Sequence, residues 1–298
     1  MILIIGSEDE AHSLHMYNAL KNRNIDTEYF DSRQYPENII LSYSENTEGY
    51  LKINNKKTNL NDIQGIYWRW FYGVQYKQYE DDFISQMVLR ERTSALNSLL
   101  CSLNCNFVNS YKAIQMHKTK AYQLNLMHKN SIRVPKTLIT NDKDALIEFY
   151  EQNNKNVIYK PVLGGAMTQK LTDNDLISDR LSELQESPVQ LQECIDGVDI
   201  RVFAMGNNIY PAEIRANTID FRDDKQAEII PVDIPDNIKA DCIKALELLK
   251  LRYSGIDIKR TKENEYVFIE ANPAPMFIHF ERMTKYPITE ELIRLLTC

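Results

Sequence analysis

The stretch that most constrains this chain is Tyr253-Ser-Gly-Ile-Asp257-Ile-Lys-Arg, followed by a short charged turn and then Tyr266-Val-Phe-Ile-Glu270-Ala-Asn272-Pro273. Two apolar runs separated by so few residues predict adjacent strands, one ending in an Asp and the next in a Glu and an Asn. If the runs pair, three oxygen ligands converge. Mg²⁺ takes hard oxygen donors, keeps several waters, and usually relies on one or two carboxylates together with nucleotide phosphates. The same residues also suit ordinary strand ends beside a turn, so the feature asks for a nucleotide-binding half elsewhere.

At 298 residues the chain has room for two or three subdomains and a substantial core. Its 43% hydrophobic and 26% charged residues are those of an ordinary globular protein. A net charge of -7 argues against a general nucleic-acid binder, which needs a basic face. Met1-Ile-Leu-Ile-Ile-Gly6 lacks the basic region and cleavage pattern of a signal peptide and reads as a first strand. No run approaches the roughly 18 apolar residues of a membrane span. A cytoplasmic protein without membrane contact is expected. Cys101, Cys105, Cys194, Cys242 and Cys298 form an odd, scattered set with no CxxC pair, which predicts buried or idle thiols.

The first hundred residues read as an α/β unit. It has a strand at 2–5, a helix at 8–22, a strand near 25–30, a polar hairpin-like stretch at 47–58 and an aromatic strand at 63–71. The apolar spacing of Phe83, Ile84, Met87, Val88, Ala95, Leu96, Leu99 and Leu100 predicts a helix over 80–103. Phe107-Val-Asn109 closes the unit. One helix is expected from Tyr111, through Lys118-Thr-Lys120, to about Asn130. An extended 134–140, a helix to about 152, the strand Val157–Pro161 and a Gly-containing turn follow. From 189 the pattern is mainly sheet, with Gly206-Asn-Asn208 as a hairpin turn. Helices are expected at 236–250 and 288–297. The fold class is α+β with an α/β N-terminal domain, divided at 1–108, 109–187 and 188–298.

Lys160 ends a strand and precedes the small-residue loop carrying Gly164 and Gly165, a combination that can hold polyphosphate through a point charge and open backbone N–H groups. An ordinary β-turn fits as well, and neither the Walker nor the dinucleotide spacing is present. Gln192-Glu193-Cys194-Ile195 and then Asp199 could serve an adenine edge and a ribose, or form a solvated strand face. Arg201 and Arg215 fall on opposite arms of the predicted hairpin and are expected to face one cleft with Arg222 nearby, suiting a carboxylate or phosphoryl group.

Taken together, Lys118, Lys160 with its loop, Gln192-Glu193, Asp199-Ile-Arg201, Asp257 and Glu270-x-Asn272 resemble the ATP-grasp superfamily over roughly 110–298. The first hundred residues resemble its pre-ATP-grasp domain. The resemblance implies two α+β subdomains clamping ATP. It implies phosphate contacts from Lys118, Lys160 and the Gly164-Gly165 loop, and adenine contacts from Gln192, Glu193, Cys194 and Ile195. Asp199 would bind the ribose, and Asp257, Glu270 and Asn272 two Mg²⁺ ions, with Mn²⁺ able to substitute.

Within the superfamily the chain resembles the RimK-like branch and, more narrowly, the ligases that macrocyclise graspetides, the microviridin-type peptides. The shared stretches are Asp220-Phe-Arg222, Pro231-Val-Asp-Ile-Pro235, Ile238 to Leu249, Tyr266 to Pro273 and Phe280 to Ile288, together with Tyr67-Trp-Arg-Trp70. Two features depart from that group. Ala274-Pro-Met-Phe-Ile-His279 stands where a Gly- and Trp-bearing segment is usual, and Arg69 is followed by Trp70 where paired arginines are expected.

The resemblance implies an ATP-dependent carboxylate–amine or carboxylate–hydroxyl ligase working through an acyl phosphate, with Arg201, Arg215 and Arg222 steadying it. Its partner would be a precursor peptide, or a protein or small-molecule carboxylate acceptor, and a homodimer is compatible with the aromatic Trp68–Tyr72 stretch. A glutamate-adding RimK-like ligase and a regulatory ATP-binding protein without turnover are the alternatives. His279 suits a base or a packed or exposed side chain.

Overall fold

A computed structural model describes residues 1–163, 168–177, 181–215 and 228–298. The chain divides into two compact units: Met1–Ile114 with Lys250–Tyr253 and Pro273–Cys298, and Gln115–Leu249 with Ser254–Asn272.

The first unit is built on a parallel sheet. Its strands are β1 (Ile2–Ile5), β2 (Thr27–Phe30), β6 (Gly65–Trp68) and β7 (Asn106–Val108), in the order β2-β1-β6-β7. All four residues of β1 are buried, as a continuous apolar run in a parallel sheet must be. Helix Ala11–Lys21 makes the crossover from β1 to β2, and its N-cap Glu10 accepts from the Ser13 N–H. Between β2 and β6 lies an antiparallel meander of β3 (Ile39–Tyr43), β4 (Gly49–Ile53) and β5 (Lys56–Asn59). The polar hairpin expected at 47–58 is the β4–β5 half. Asn54 and Asn55 turn it, both with positive φ, where an amide side chain is tolerated.

Helix Asp82–Ser102 buries Leu96, Leu99 and Leu100, but Phe83, Ile84 and Met87 at its start are exposed. Trp68 is buried against Phe71 and Tyr111, whereas Trp70 is 54% exposed. Helix Ile288–Thr297 packs on β6 and β7 through Leu292, Leu295 and Leu296. At Gly65 an added Cβ would lie 2.5 Å from the Leu296 carbonyl oxygen, so glycine is what allows this approach. Sequence periodicity did not reveal helix Ile278–Thr284, which is only seven residues long.

The second unit holds two antiparallel sheets. One contains β8 (Thr137–Thr140), β9 (Val157–Pro161), β10 (Gln169–Lys170) and β11 (Val189–Glu193), in the order β10-β9-β11-β8. Helix Lys143–Gln152 covers one face of it, packing Leu146 and Tyr150 with Val157 and Leu191. The other sheet contains β12 (Val198–Met205), β13 (Asn208–Arg215), β14 (Glu228–Pro231), β15 (Tyr253–Arg260) and β16 (Tyr266–Asn272), in the order β14-β13-β12-β15-β16. The expected hairpin turn is present, with Gly206 at φ 56°. Helix Asp236–Leu249 packs on β12 and β13 through an apolar stripe that includes Cys242 and Leu246. The single helix expected from Tyr111 to Asn130 is two, Tyr111–His117 and Lys120–Lys129, interrupted at Lys118 and Thr119. Among the described residues no helix is long and apolar enough to cross a membrane. All five cysteines are free thiols.

Candidate active site

The two acidic strands pair as neighbours, Gly255 opposite Asn272 and Asp257 opposite Glu270. A bulge between Asp257 and Ile258 makes this possible. Closer to the turn Ile258 faces Phe268 and Lys259 faces Val267, so an unbroken ladder would set Asp257 opposite Ile269 and send Glu270 to the other face. The extra residue brings Glu270 to the side of Asp257, and strand alternation puts Asn272 there too.

Like charges placed directly opposite destabilise a sheet unless cations offset them. Here they do. Arg201 Nε lies 3.0 Å from Asp257 Oδ1, Lys120 Nζ 3.0 Å from Glu270 Oε2, and His117 Nε2 3.5 Å from Glu270 Oε1. Burial pushes the Glu270 carboxyl up, but Lys120, His117 and Lys160 outweigh it and hold the group below its ordinary range. Burial lowers the Lys160 ammonium, Lys120 adds to the effect, and Glu270 and Asp257 act against it. Burial likewise lowers the His117 imidazole.

Gln123 fixes Lys120 against this strand pair. Its Nε2 donates to the Ala271 carbonyl at 3.0 Å and its Oε1 accepts from the Ala271 N–H at 2.9 Å. Lys120 is three residues earlier on the same helix, hence on the same face. Lys118, the lysine expected at the phosphates, is exposed in the break between helices. The sequence signal for Lys120 was the second lysine of Lys118-Thr-Lys120. What decides between them is the helix interruption, which carries no Pro or Gly to mark it.

Two carboxylates beside Lys120, Lys160 and Arg201 leave an excess of positive charge suited to a polyanion. Among the described residues no three or more His, Cys, Asp and Glu side chains group as a metal cage. A cation held by Asp257, Glu270 and the Asn272 amide would therefore complete its shell with phosphate oxygens and water, which fits Mg²⁺.

The model of the RimK-like ATP-grasp domain matches residues 117–296, and that of the MvdD pre-ATP-grasp domain matches residues 1–115. The chain belongs to the RimK-like ATP-grasp family. It is an ATP-grasp ligase, and such ligases use ATP and Mg²⁺. The α-aminoadipate–LysW ligase LysX of Sulfolobus acidocaldarius is 25% identical over 241 residues, covering 75% of this chain and 86% of that protein. The ATP-grasp ligase PsnB, solved with a minimal precursor, is 30% identical with a TM-score of 0.86, covering 99% of this chain and 97% of that one. The macrocyclase MdnC of Microcystis aeruginosa, bound to the precursor peptide MdnA, shares the fold at a TM-score of 0.86 and 21% identity, covering 100% and 99%.

The remaining residues expected at the site of this RimK-like ligase have defined surroundings. Gln192 is buried and donates to Thr137 Oγ1 at 3.0 Å, while Glu193 Oε1 accepts from the Lys136 N–H at 3.0 Å. The Cys194 N–H donates to the Asn156 carbonyl, and its own carbonyl accepts from Asn156 Nδ2. Those two groups, expected to face a base edge, are thus already bonded, and Ile195 follows them half-buried. Asp199 binds Lys259 Nζ at 2.8 Å.

Arg201 and Arg215 do not share a face. Arg201 pairs with Ala212, an odd number of residues from Arg215, so alternation sends the two guanidinium groups to opposite sides. Arg215 bonds Glu213, which Arg260 also bonds. His279 is exposed and bonded to Arg282. Gly164, Gly165 and Arg222 lie outside the described residues.

Proposed function

We propose that this ligase activates a carboxylate of a ribosomal precursor peptide and joins it to an amine or hydroxyl, forming lactam or lactone rings. The observation that carries the nucleotide half is the Asp257–Glu270 pair ringed by Lys120, Lys160 and Arg201. Support for a peptide substrate is the 30% identity to PsnB over nearly the whole chain.

In this reading Lys120 and Lys160 hold the phosphates, and Lys118 and the backbone N–H groups of Gly164 and Gly165 are further candidates for them. Gln192, Glu193, Cys194 and Ile195 line the base, and Asp199 exchanges its Lys259 partner for a ribose hydroxyl. Asp257, Glu270 and Asn272 hold two Mg²⁺ ions, replaceable by Mn²⁺, whose chemistry is to neutralise charge on the transferring phosphoryl group. The substrate carboxylate attacks the γ-phosphorus, ADP leaves, and the acyl phosphate provides the leaving group that a free carboxylate lacks. Arg201 steadies the charge that develops, a role of preorganised electrostatics. Arg222 is a further cation proposed for the acyl group, whereas Arg215, on the face opposite Arg201 and bonded to Glu213, is not placed with it. No side chain needs to act as a covalent nucleophile. Residues 1–108 form the pre-ATP-grasp domain, 109–187 and 188–298 the two ATP-binding subdomains, and a homodimer in the cytoplasm is the proposed state.

A second reading, amino-acid addition to a protein or small-molecule carboxylate, draws on the 25% identity to LysX. ADP release and intact mass separate the two. Purified chain with Mg-ATP and an acidic, Thr-, Ser- or Lys-containing peptide should release ADP, and the peptide should lose about 18 Da per ring, one water. A mass gain of one amino-acid residue, dependent on added glutamate, favours the second reading. ATP binding without ADP release for any acceptor overturns both.

A further inference from the structure

Gln190 is fully buried in the middle of β11, yet among the described residues neither its Oε1 nor its Nε2 has a hydrogen-bond partner. A side-chain amide carries two donors and two acceptor lone pairs, and burying it unpaired forfeits its hydration without return. Leucine or methionine would fill the position without that loss. Such an orphan in a native interior asks for a partner from outside the chain.

Its place in the sheet indicates which. Gln190 stands directly opposite Lys160 on β9 and opposite Ile139 on β8. Cross-strand neighbours share a face with Cβ atoms about 4.5–5.5 Å apart. Ile139 has no polar group to offer, so Lys160 is the polar neighbour across the ladder. The opposite face of the sheet, with Leu191 and Val157, is the one packed on Leu146 and Tyr150. Gln192, two residues along on the Gln190 face, is equally buried but satisfied by Thr137. Of the two glutamines, only the one beside Lys160 is left open.

We propose that Gln190 is an additional nucleotide-binding residue, its Oε1 accepting from the Lys160 ammonium and its Nε2 donating to a phosphate oxygen of the bound nucleotide. This rests on the assignment of Lys160 to the phosphates. The amide does two things at once: it orients the lysine and adds a neutral donor to an anion already faced by cations. No bond is made or broken.

The test is ADP and adenosine binding to the full chain, by calorimetry for ADP and ligand-observed NMR for adenosine, together with the melting temperature of the ligand-free protein. Gln190→Leu should weaken ADP by about tenfold, the scale of one hydrogen bond to a charged group. It should leave adenosine affinity within about twofold and leave the ligand-free melting temperature unchanged or higher. Gln190→Glu, of the same size, should weaken ADP further because its carboxylate faces phosphate. Unchanged ADP affinity in Gln190→Leu, equal losses for ADP and adenosine, or a lowered ligand-free melting temperature would each overturn the proposal. Lys160→Met is the control. If it weakens ADP while Gln190→Leu does not, only the Gln190 assignment falls; if neither variant matters, the phosphate site is misplaced and both readings fall.

Discussion

Lys120 Nζ lies 3.0 Å from Glu270 Oε2, and the helix that carries the lysine is latched to the same strand by Gln123 at Ala271. The side chain is thus set by a two-bond clamp one turn away. Lys118, in the interruption before this helix, has no such support. Replacing Lys120 by Met should lower the ADP-release rate at least about a hundredfold, the scale of losing a charge aligned with a transferring phosphoryl group. Lys118→Met should cost less than about fivefold. Equal effects of the two substitutions would refute the distinction. Gln123→Leu should raise the ATP concentration needed for half-maximal turnover, because the clamp goes while the lysine stays.

The directly opposed carboxylates lead to a metal-dependence prediction. Asp257→Asn and Glu270→Gln keep shape and remove one charge each from a ligand set poor in carboxylates. Each should raise the Mg²⁺ concentration for half-maximal ADP release by at least about tenfold, since a neutral amide is a weaker ligand for a hard cation. Chelation of Mg²⁺ should stop ADP release by the unsubstituted protein. A Mg²⁺ dependence unaltered in both variants would remove these residues from the metal site.

Much of this was legible in the sequence because it rests on local rules. The alternation around Asp257 and Glu270, the Gly206 turn and the apolar stripe of helix Asp236–Leu249 follow from periods of two and of 3.6 residues. Three features escaped because no local residue encodes them. The bulge at Asp257 and Ile258, which sets Glu270 opposite Asp257, carries no glycine and is fixed by the pairing of whole strands. The break at Lys118 and Thr119 has neither Pro nor Gly, so the two lysines looked equivalent. The opposite faces of Arg201 and Arg215 depend on a register that the hairpin turn sets, and one residue of slip would have put them together.

In the first unit the Glu10 carboxylate accepts from the Ser13 N–H and hydroxyl through Oε2, and Oε1 accepts from Arg69 Nε with His12 Nδ1 3.2 Å away. Burial pushes this carboxyl up, but the His12, Arg69 and Ser13 contacts outweigh it and hold it far below the usual carboxylate range. A depressed folded-state pKa adds stability that is full above the unfolded value, about 4.3, and is lost as pH falls below it. Glu10→Gln should therefore cost about 1–3 kcal/mol at pH 7, by urea midpoint, and a smaller amount at pH 3. An identical deficit at both pH values would show that the charge contributes nothing.

Asn109 is the second polar anchor of that unit, and all of its hydrogen-bonding capacity is used in full burial. Its Nδ2 donates to the carbonyls of Tyr253 at 2.6 Å and Pro273 at 2.8 Å, and its Oδ1 accepts from the N–H groups of Arg252 at 2.7 Å and Tyr253 at 3.2 Å. One amide therefore ties β7 to both returning segments of the chain. Asn109→Asp is nearly isosteric but turns the donating end into an acceptor that faces two carbonyl oxygens, and it buries a charge against them. We expect a loss of at least about 3 kcal/mol at pH 7 in urea unfolding. Acid should relieve the defect, because protonation restores one donor and removes the charge. The carboxyl introduced by this substitution has its folded-state pKa raised above the unfolded value, so its penalty is full at higher pH and shrinks as pH falls through the folded value. The deficit relative to the unsubstituted protein should thus be smaller at pH 4 than at pH 7, while Asn109→Ala should show no such dependence. A pH-independent deficit in Asn109→Asp would mean that the two carbonyls are not what the side chain holds.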